Sequence, residues 1–280
     1  MAEAQAPAPV AAKAAATVVL ARDALHGGIE IFLVQRHGSM GFMGGVHVFP
    51  GGKVSASDAT AIMRARVQDA DDAAAHAMWG DDVEADGGLS RAVAAVRETF
   101  EEAGVLLAHD TRGVALSATQ SDARARLLAG EDFATLLQSA GLSLRLSMLV
   151  PLSRWITPES EPMRFDTNFY VARLPEGQEA SHDLMESIGS CWLSPADALL
   201  ASTEGRIRLA PPTTRTLEGL RDVSSVDTAL ALSSRRPPPV ILPILRTLGK
   251  EVVVLYPGDP EHPNPNRAFD GATRLVLRRA

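Results

Sequence analysis

RETFEEAG, residues Arg97 to Gly104, sets three glutamates and an arginine within six positions and then stops at a glycine. On a helix, Val93, Val96 and Phe100 form an apolar stripe. Glu98, Glu101 and Glu102 leave the other side at i, i+3 and i+4, so their carboxylates converge. Ala94 falls on that acidic side one turn earlier and leaves room for a ligand; Arg97 is one turn from Glu101 and can pair with it. Ser90 reads as the N-cap and Gly104 as the residue that ends the helix. Three converging carboxylates repel one another, and in a dry cleft at least one is driven toward protonation. Either the face is solvated, as acidic helix faces commonly are, or a hard divalent cation such as Mg²⁺ or Mn²⁺ sits among the oxygens. Chance alone places R-E-x-x-E-E-x-G in on the order of 10⁻⁴ of chains this long, which favours the metal.

Upstream, HVFPGGKV (residues 47–54) places adjacent glycines after a short strand, where backbone can approach a phosphate or metal closely. It is not a P-loop. Val54 follows Lys53 where Ser or Thr is required, and His47 occupies the place of the first glycine.

Composition narrows the partners. The 280 residues are 46% hydrophobic and 22% charged, as in an ordinary globular chain able to bury a sizeable core. Net charge is −7 and no run of Lys or Arg exceeds two residues, which argues against nucleic acid as a partner. Cys191 is the only cysteine, so no intrachain disulfide forms and a reducing cytoplasm is the expected location. No apolar run reaches the ~18 residues of a membrane span. Residues 1 to 15 are expected to be a flexible tail and 16 to 280 one domain.

Apolar, β-branched runs predict an antiparallel pair over residues 17–22 and 30–36, joined through Gly27 and Gly28. A helix is predicted from Asp58 to about His76, and short helices over 122–129 and 132–139. Strands are predicted over 144–156, 164–174 and 190–193. Helices follow from Pro195 to Leu200, over 212–221 and over 226–232. A last hairpin, 240–248 with 251–256, carries Pro243 in its first strand, which weakens it there. Strands and helices do not alternate regularly enough for a doubly wound sheet, so the fold class is α+β.

The chain resembles a Nudix hydrolase, whose signature is G-x5-E-x7-R-E-U-x-E-E-x-G-U with U apolar. Gly52 matches its first glycine, and Arg97, Glu98, Glu101, Glu102, Gly104 and Val105 match its second half, with Thr99 at an apolar position. Asp58 stands where glutamate is usual, and the shorter side chain is expected to loosen the salt bridge that fixes the loop. Residues 59 to 89 interrupt the box. The interruption is similar to that of the subgroup that includes the peroxisomal coenzyme A diphosphatases. HVFPGG, RETFEEAGVLLA, WITPESEPMRFDTNFYVA, Trp192 with SPADAL, and LYPGD are also similar to that subgroup.

The resemblance implies an α/β/α sandwich with a mixed sheet, carrying the insertion and a C-terminal extension. It implies Mg²⁺ or Mn²⁺ held by Glu98, Glu101, Glu102 and the Gly51 carbonyl, with Glu98 sharing the base role and Arg97 orienting. A carboxylate from a later loop often completes such sites, and Glu186 is the first candidate. Arg36, at a strand end, and Arg164 are each either a phosphate-binding arginine or part of a surface ion pair; Gly52 is expected at the substrate. Trp155, Phe165 and Phe169 fit alternating strand patterns and are read as core. No histidine pair has metal-ligand spacing. The insertion's Asp81, Asp82 and Glu84 are read as solvated charges. The implied reaction is metal-dependent hydrolysis of a small-molecule diphosphate. Coenzyme A or acyl-CoA would give 3′,5′-ADP and (acyl-)4′-phosphopantetheine. Rival substrates are ADP-ribose, nucleotide sugars and dinucleotides. A non-catalytic Nudix-fold nucleotide-binding or regulatory protein is the rival of another class, and the intact R-E-x-x-E-E speaks against it. A homodimer stays open.

Overall fold

The computed structural model describes residues 10–38, 44–79, 87–114, 116, 121–183, 187–234, 237–249 and 251–277. Its strands are β1 (Lys13–Asp23), β2 (Ile29–Arg36), β3 (His47–Val48), β4 (Gly51–Lys53), β5 (Ala108–His109), β6 (Ser143–Leu144), β7 (Val150–Ile156), β8 (Phe165–Arg173), β9 (Ser187–Leu193), β10 (Val240–Ile241), β11 (Ile244–Leu248), β12 (Glu251–Leu255) and β13 (Arg274–Leu277). Its α-helices are α1 (Ala61–Arg64), α2 (Asp72–Ala77), α3 (Gly87–Ala103), α4 (Ser121–Leu128), α5 (Phe133–Ser139), α6 (Pro195–Thr203), α7 (Pro211–Gly219) and α8 (Val226–Ser233). Among the described residues, no helix is long and apolar enough to cross a membrane.

The long strand β1 organises the sheet. One edge pairs in parallel with β8, from Lys13 against Phe165 to Ala21 against Arg173. The other edge is shared: Ala15, Ala16 and Thr17 pair with β4, and Ala21, Arg22 and Asp23 pair with β2. The sheet therefore forks beside β1, and the glycine turn lies in the fork. The full mixed sheet runs β10, β7, β8, β1, β2, β3, with β4 added on β1 and β9 on β2. Because β1 begins at Lys13, residues 13 to 15 belong to the sheet and not to the expected tail.

Both faces are covered, which is why β1 and β2 read as nearly unbroken apolar runs. Successive side chains alternate between two cores. Val18, Leu20, Phe32, Val34 and Tyr170 pack with α3. Val19, Ala21, Ile31, Leu33 and Phe169 pack with α6, α7 and α8. Trp155 and Phe169 lie in this second core, as expected, and Trp155 stacks on Phe269 from the C-terminal segment at 6.4 Å.

The stretch predicted as one helix after Asp58 is three pieces. A 3₁₀ turn (Ala56–Ala59), α1 and α2 each start at a residue whose side chain caps the next backbone N–H groups: Ser55, Thr60 and Asp71. Such residues compete with a continuing helix for its own hydrogen bonds. These pieces and the turn after α2 are built into the first core through Met63, Ala75 and Trp79. Asp69 accepts from Leu146 N, Ser147 N and Ser147 Oγ at 2.6–3.1 Å, which stitches the insertion to the turn before β7. Asp81, Asp82 and Glu84 lie outside the described residues.

The predicted last hairpin forms across Gly249, with its first strand shortened at Pro243. Val240 and Ile241 join the main sheet beside β7, and β11 starts afresh at Ile244 to pair with β12. The sequence reading did not anticipate β13, which completes this small sheet.

Candidate active site

Helix α3 starts at Gly87, one turn earlier than expected, so Ser90 is inside it and returns its hydroxyl to the Gly87 carbonyl. The helix is buried on nearly every side. Ala94, expected to leave space, has no exposed surface and packs in the first core. Thr99, equally buried, satisfies its hydroxyl on the Ala95 carbonyl at 2.7 Å.

Burying a helix that carries three glutamates requires a compensating charge, and Arg97 supplies it. Its Nε and Nη2 donate to the two oxygens of Asp58 at 2.8 and 2.9 Å. Nη2 also donates to the Lys53 carbonyl at 2.9 Å. Nη1 donates to Glu98 at 2.8 Å and Glu101 at 3.0 Å. The bond to Asp58 is therefore bidentate and not loosened by the shorter acid. Asp58 is 2% exposed, and its Oδ2 also accepts from Ser55 N, which closes a capping box on the 3₁₀ turn. Burial works against the Arg97 charge, but the hydrogen bonds to Asp58 and the charges of Glu98, Asp58 and Glu101 outweigh it and hold the guanidinium firmly ionised. Burial pushes the Glu98 carboxyl up to about 7, with Arg97 opposing the shift and Glu101 adding to it.

The glycine turn lies under these carboxylates. Gly51 N donates to Glu102 Oε2 at 2.9 Å. A Cβ on Gly52 would sit 2.4–2.6 Å from the Glu98 carboxylate, and one on Gly51 would sit 2.5 Å from the Ala16 carbonyl oxygen and 2.7 Å from Thr17 Cα. Neither glycine has a positive φ, so close approach is what requires them. At Gly51 the obstacle is backbone of the central strand, which cannot swing aside. Gly51→Ala is expected to cost ~1–3 kcal/mol of stability through overpacking, read as a lower urea midpoint with an unchanged slope. A variant as stable as the parent would show that the β1–β4 approach is not tight.

Gly104, with φ of 70°, ends α3 as expected. Beyond it the helix terminus is held by residues the sequence reading missed. Arg124 of α4 donates through Nε and Nη2 to the Glu101 carbonyl at 3.0 and 2.8 Å, and through Nη1 to Ser181 Oγ at 3.1 Å. Ser181 N donates to the Ala103 carbonyl at 2.9 Å. A cation on the last carbonyls complements the negative end of the helix dipole. Burial lowers the Arg124 pKa, while the charges of Asp183 and Glu102 work the other way. Asp183, 5% exposed, thus lies near the acidic helix. Glu186, the expected later carboxylate, lies outside the described residues.

Of the two arginines expected at phosphate, Arg164 is engaged elsewhere. Its Nε donates to the Thr157 carbonyl at 3.1 Å and its Nη1 to the Val10 carbonyl at 2.6 Å, and it is 8% exposed. It fastens the start of β8 to the N-terminal strand. Arg36 is half-buried at the end of β2, where the pairing with β9 shifts register. A second buried ionic group was also missed. Asp166 accepts from Arg91 of α3 at 2.8 Å and from Arg154 of β7 at 2.7 Å, and its pKa is lowered: burial opposes the shift, and the Arg154 hydrogen bond with the two charges outweighs it.

The donor set has the chemistry a hard divalent cation prefers: three carboxylates on one turn of helix, beside a glycine turn that adds carbonyl oxygens. The buried Glu98 carboxyl, driven toward protonation, is the kind of group a cation stabilises as a carboxylate. Among the described residues, no three His, Cys, Asp or Glu side chains already converge on one point; Glu98 and Glu101 turn an oxygen each to Arg97.

Residues 10–220 match the family model described as the NUDT19 Nudix domain. The acyl-coenzyme A diphosphatase NUDT19 of Gallus gallus is 30% identical over 292 aligned residues, spanning 89% of this chain and 76% of that protein. The Homo sapiens protein of the same name is 29% identical over 276, spanning 83% and 72%. The crystal structure of a NUDIX hydrolase from Alicyclobacillus acidocaldarius superposes with a TM-score of 0.67 at 29% identity, covering 79% of this chain and 96% of that one. The chain belongs to the Nudix hydrolases and, within them, to the NUDT19 Nudix family. It is accordingly a pyrophosphohydrolase of small-molecule diphosphates, in a family that generally uses divalent metal ions.

Proposed function

We propose that this enzyme hydrolyses the diphosphate of coenzyme A or acyl-CoA, releasing 3′,5′-ADP and (acyl-)4′-phosphopantetheine. The observation that carries the reading is the similarity along most of the chain to two proteins named acyl-coenzyme A diphosphatases. The interrupted box, with its insertion packed into the core, supports it. Glu98, Glu101, Glu102 and the Gly51 carbonyl would hold Mg²⁺ or Mn²⁺, which when bound would supply charge neutralisation for the diphosphate and a more acidic water.

The chain's own residues supply the rest. Arg97, fixed by Asp58, holds Glu98 and Glu101 in place and keeps the glycine turn against α3 through the Lys53 carbonyl. Glu98, held by Arg97 at 2.8 Å over the glycine turn, is the carboxylate we assign to share the base role. Gly51 and Gly52 let backbone come close to a diphosphate. Arg36 is the arginine we assign to phosphate, and Glu186 stays a candidate for a further carboxylate. The lone Cys191, its thiol pKa raised by burial, suits a reducing compartment such as the cytoplasm.

The test is kcat/KM for coenzyme A, an acyl-CoA, dephospho-CoA, ADP-ribose and NADH under one Mg²⁺ condition. A charge-assisted pair between arginine and the 3′-phosphate is worth ~1.5–3 kcal/mol, so coenzyme A should exceed dephospho-CoA by about ten- to a hundred-fold. Arg36→Ala should remove most of that margin. If ADP-ribose or NADH leads by about tenfold, the coenzyme A assignment fails while the hydrolase assignment stands.

A further inference from the structure

A cleft of about 380 Å³ opens beside the acidic helix, between the Ser55–Ser57 turn and the junction of α4 with α5. That is within the ~300–1,000 Å³ typical of small-molecule sites. Arg97 and Glu101 form one wall, so whatever occupies it touches the catalytic constellation. The opposite wall comes from α4 and α5, which lie outside the box and contributed nothing to the sequence reading of the site.

The lining excludes a phosphate. Its arginine, Arg97, already donates from every nitrogen, to Asp58, Glu98, Glu101 and the Lys53 carbonyl. The other charges facing the cleft are the carboxylates of Glu101, Glu131 and Asp132. Glu131 is already neutralised by Arg126, through two 2.7 Å bonds. The cleft does suit a neutral chain that carries amides. Ser55 Oγ and Ser57 Oγ are hydrogen-bonded to each other, which uses one of their two hydroxyl hydrogens and leaves the other for a ligand carbonyl. Carboxylate oxygens accept amide N–H groups. Leu127 and Phe133, both largely buried, give an apolar floor for methylene and methyl groups.

We propose that this cleft binds the uncharged, amide-bearing arm of the substrate and so selects diphosphates that carry such an arm. The proposal rests on the coenzyme A reading, in which that arm is pantetheine. It orients the substrate: the arm lies along α4 and α5, and the nucleotide with its extra phosphate lies on the other side of the metal-binding carboxylates.

The decisive variant is Ser57→Leu, which fills the cleft and removes a hydroxyl, with Ser57→Ala as a variant that removes the hydroxyl alone. Thermal melts check that each is folded. The ratio of kcat/KM for coenzyme A to that for ADP-ribose is expected to fall at least tenfold in Ser57→Leu, mainly through KM, and about three- to tenfold in Ser57→Ala. Calorimetry on the parent with 4′-phosphopantetheine and with 3′,5′-ADP separates the two readings. Binding of 4′-phosphopantetheine should weaken at least tenfold in Ser57→Leu, and more than binding of 3′,5′-ADP does. A parent that binds 4′-phosphopantetheine but turns over ADP-ribose better than coenzyme A would overturn the substrate reading and the selection drawn from it, and leave only the binding of the arm in the cleft standing. Equal losses for both products, an unchanged ratio, or a parent that does not bind 4′-phosphopantetheine would overturn the cleft assignment.

Discussion

Glu102→Gln is expected to lower kcat by about a hundred- to a thousand-fold while leaving the fold intact. Two features separate those outcomes. Glutamine keeps a side-chain carbonyl that can still accept the hydrogen bond from Gly51 N, so the contact between turn and helix survives. The substitution also removes one charge from a helix face that carries Glu98, Glu101 and Glu102 together, which relieves repulsion in the metal-free protein. What is lost is a hard anionic oxygen for the cation. Charge stabilisation by a metal amounts to several kcal/mol in a transition state, and ~2.7–4 kcal/mol is the stated loss of rate. A thermal shift gives an independent reading. Saturating Mn²⁺ at 100 times its Kd should add about 2.7 kcal/mol to the parent's stability, and the variant should gain clearly less at the same concentration. Parental kcat together with a parental Mn²⁺ shift would return this helix face to ordinary solvated charge.

The residues of this site differ in how far the sequence exposed them, and the reason is the range of the interactions. The charges of RETFEEAG are local: i, i+3 and i+4 spacing on one helix fixes their relative positions whatever packs around them. Gly104 was legible for the same reason, because a helix end demands it. The burial of Ala94 was not, since it depends on the sheet and on the inserted residues folding over α3. Arg124 acts on the last turn of α3 from a helix that begins only after the box has ended. Nothing in its own neighbourhood marks it. Asp166 did carry a signal. It shares one face of β8 with Asn168 and Tyr170, in a strand buried on both sides, and a carboxylate in such a position needs a cationic partner. Arg91, two turns before Glu98, answers that need. The shorter side chain of Asp58 does not loosen the bridge, for a local reason. The capping box at Ser55 sets Asp58 where the shorter acid still reaches Arg97 with both oxygens.

The largest loss of stability is expected at Arg97. Its side chain is 10% exposed and Asp58's is 1%, so the pair is shielded from solvent and exposed-pair energetics do not apply. Arg97→Met keeps much of the volume but leaves Asp58, Glu98 and Glu101 without their common cation. Breaking a buried pair by removing one partner costs ~3–5 kcal/mol, or roughly ten degrees in Tm for a chain of this size. Arg97→Lys should fall between variant and parent, because a lysine restores the charge but not the fork that holds Asp58 with two bonds while reaching Glu98 and Glu101. The pH dependence identifies the cause. In Arg97→Met the Glu98 carboxyl, pushed up by burial, loses the cation that opposes the shift, so the folded state binds more protons there than the unfolded one. Stability of the variant therefore rises as pH falls. In the parent, Arg97 opposes that shift, so the gap between the two proteins should narrow from pH 8 to pH 5 in urea unfolding. A gap of constant size across that range would mean that Arg97 stabilises by packing, and that the three acids do not depend on it for charge.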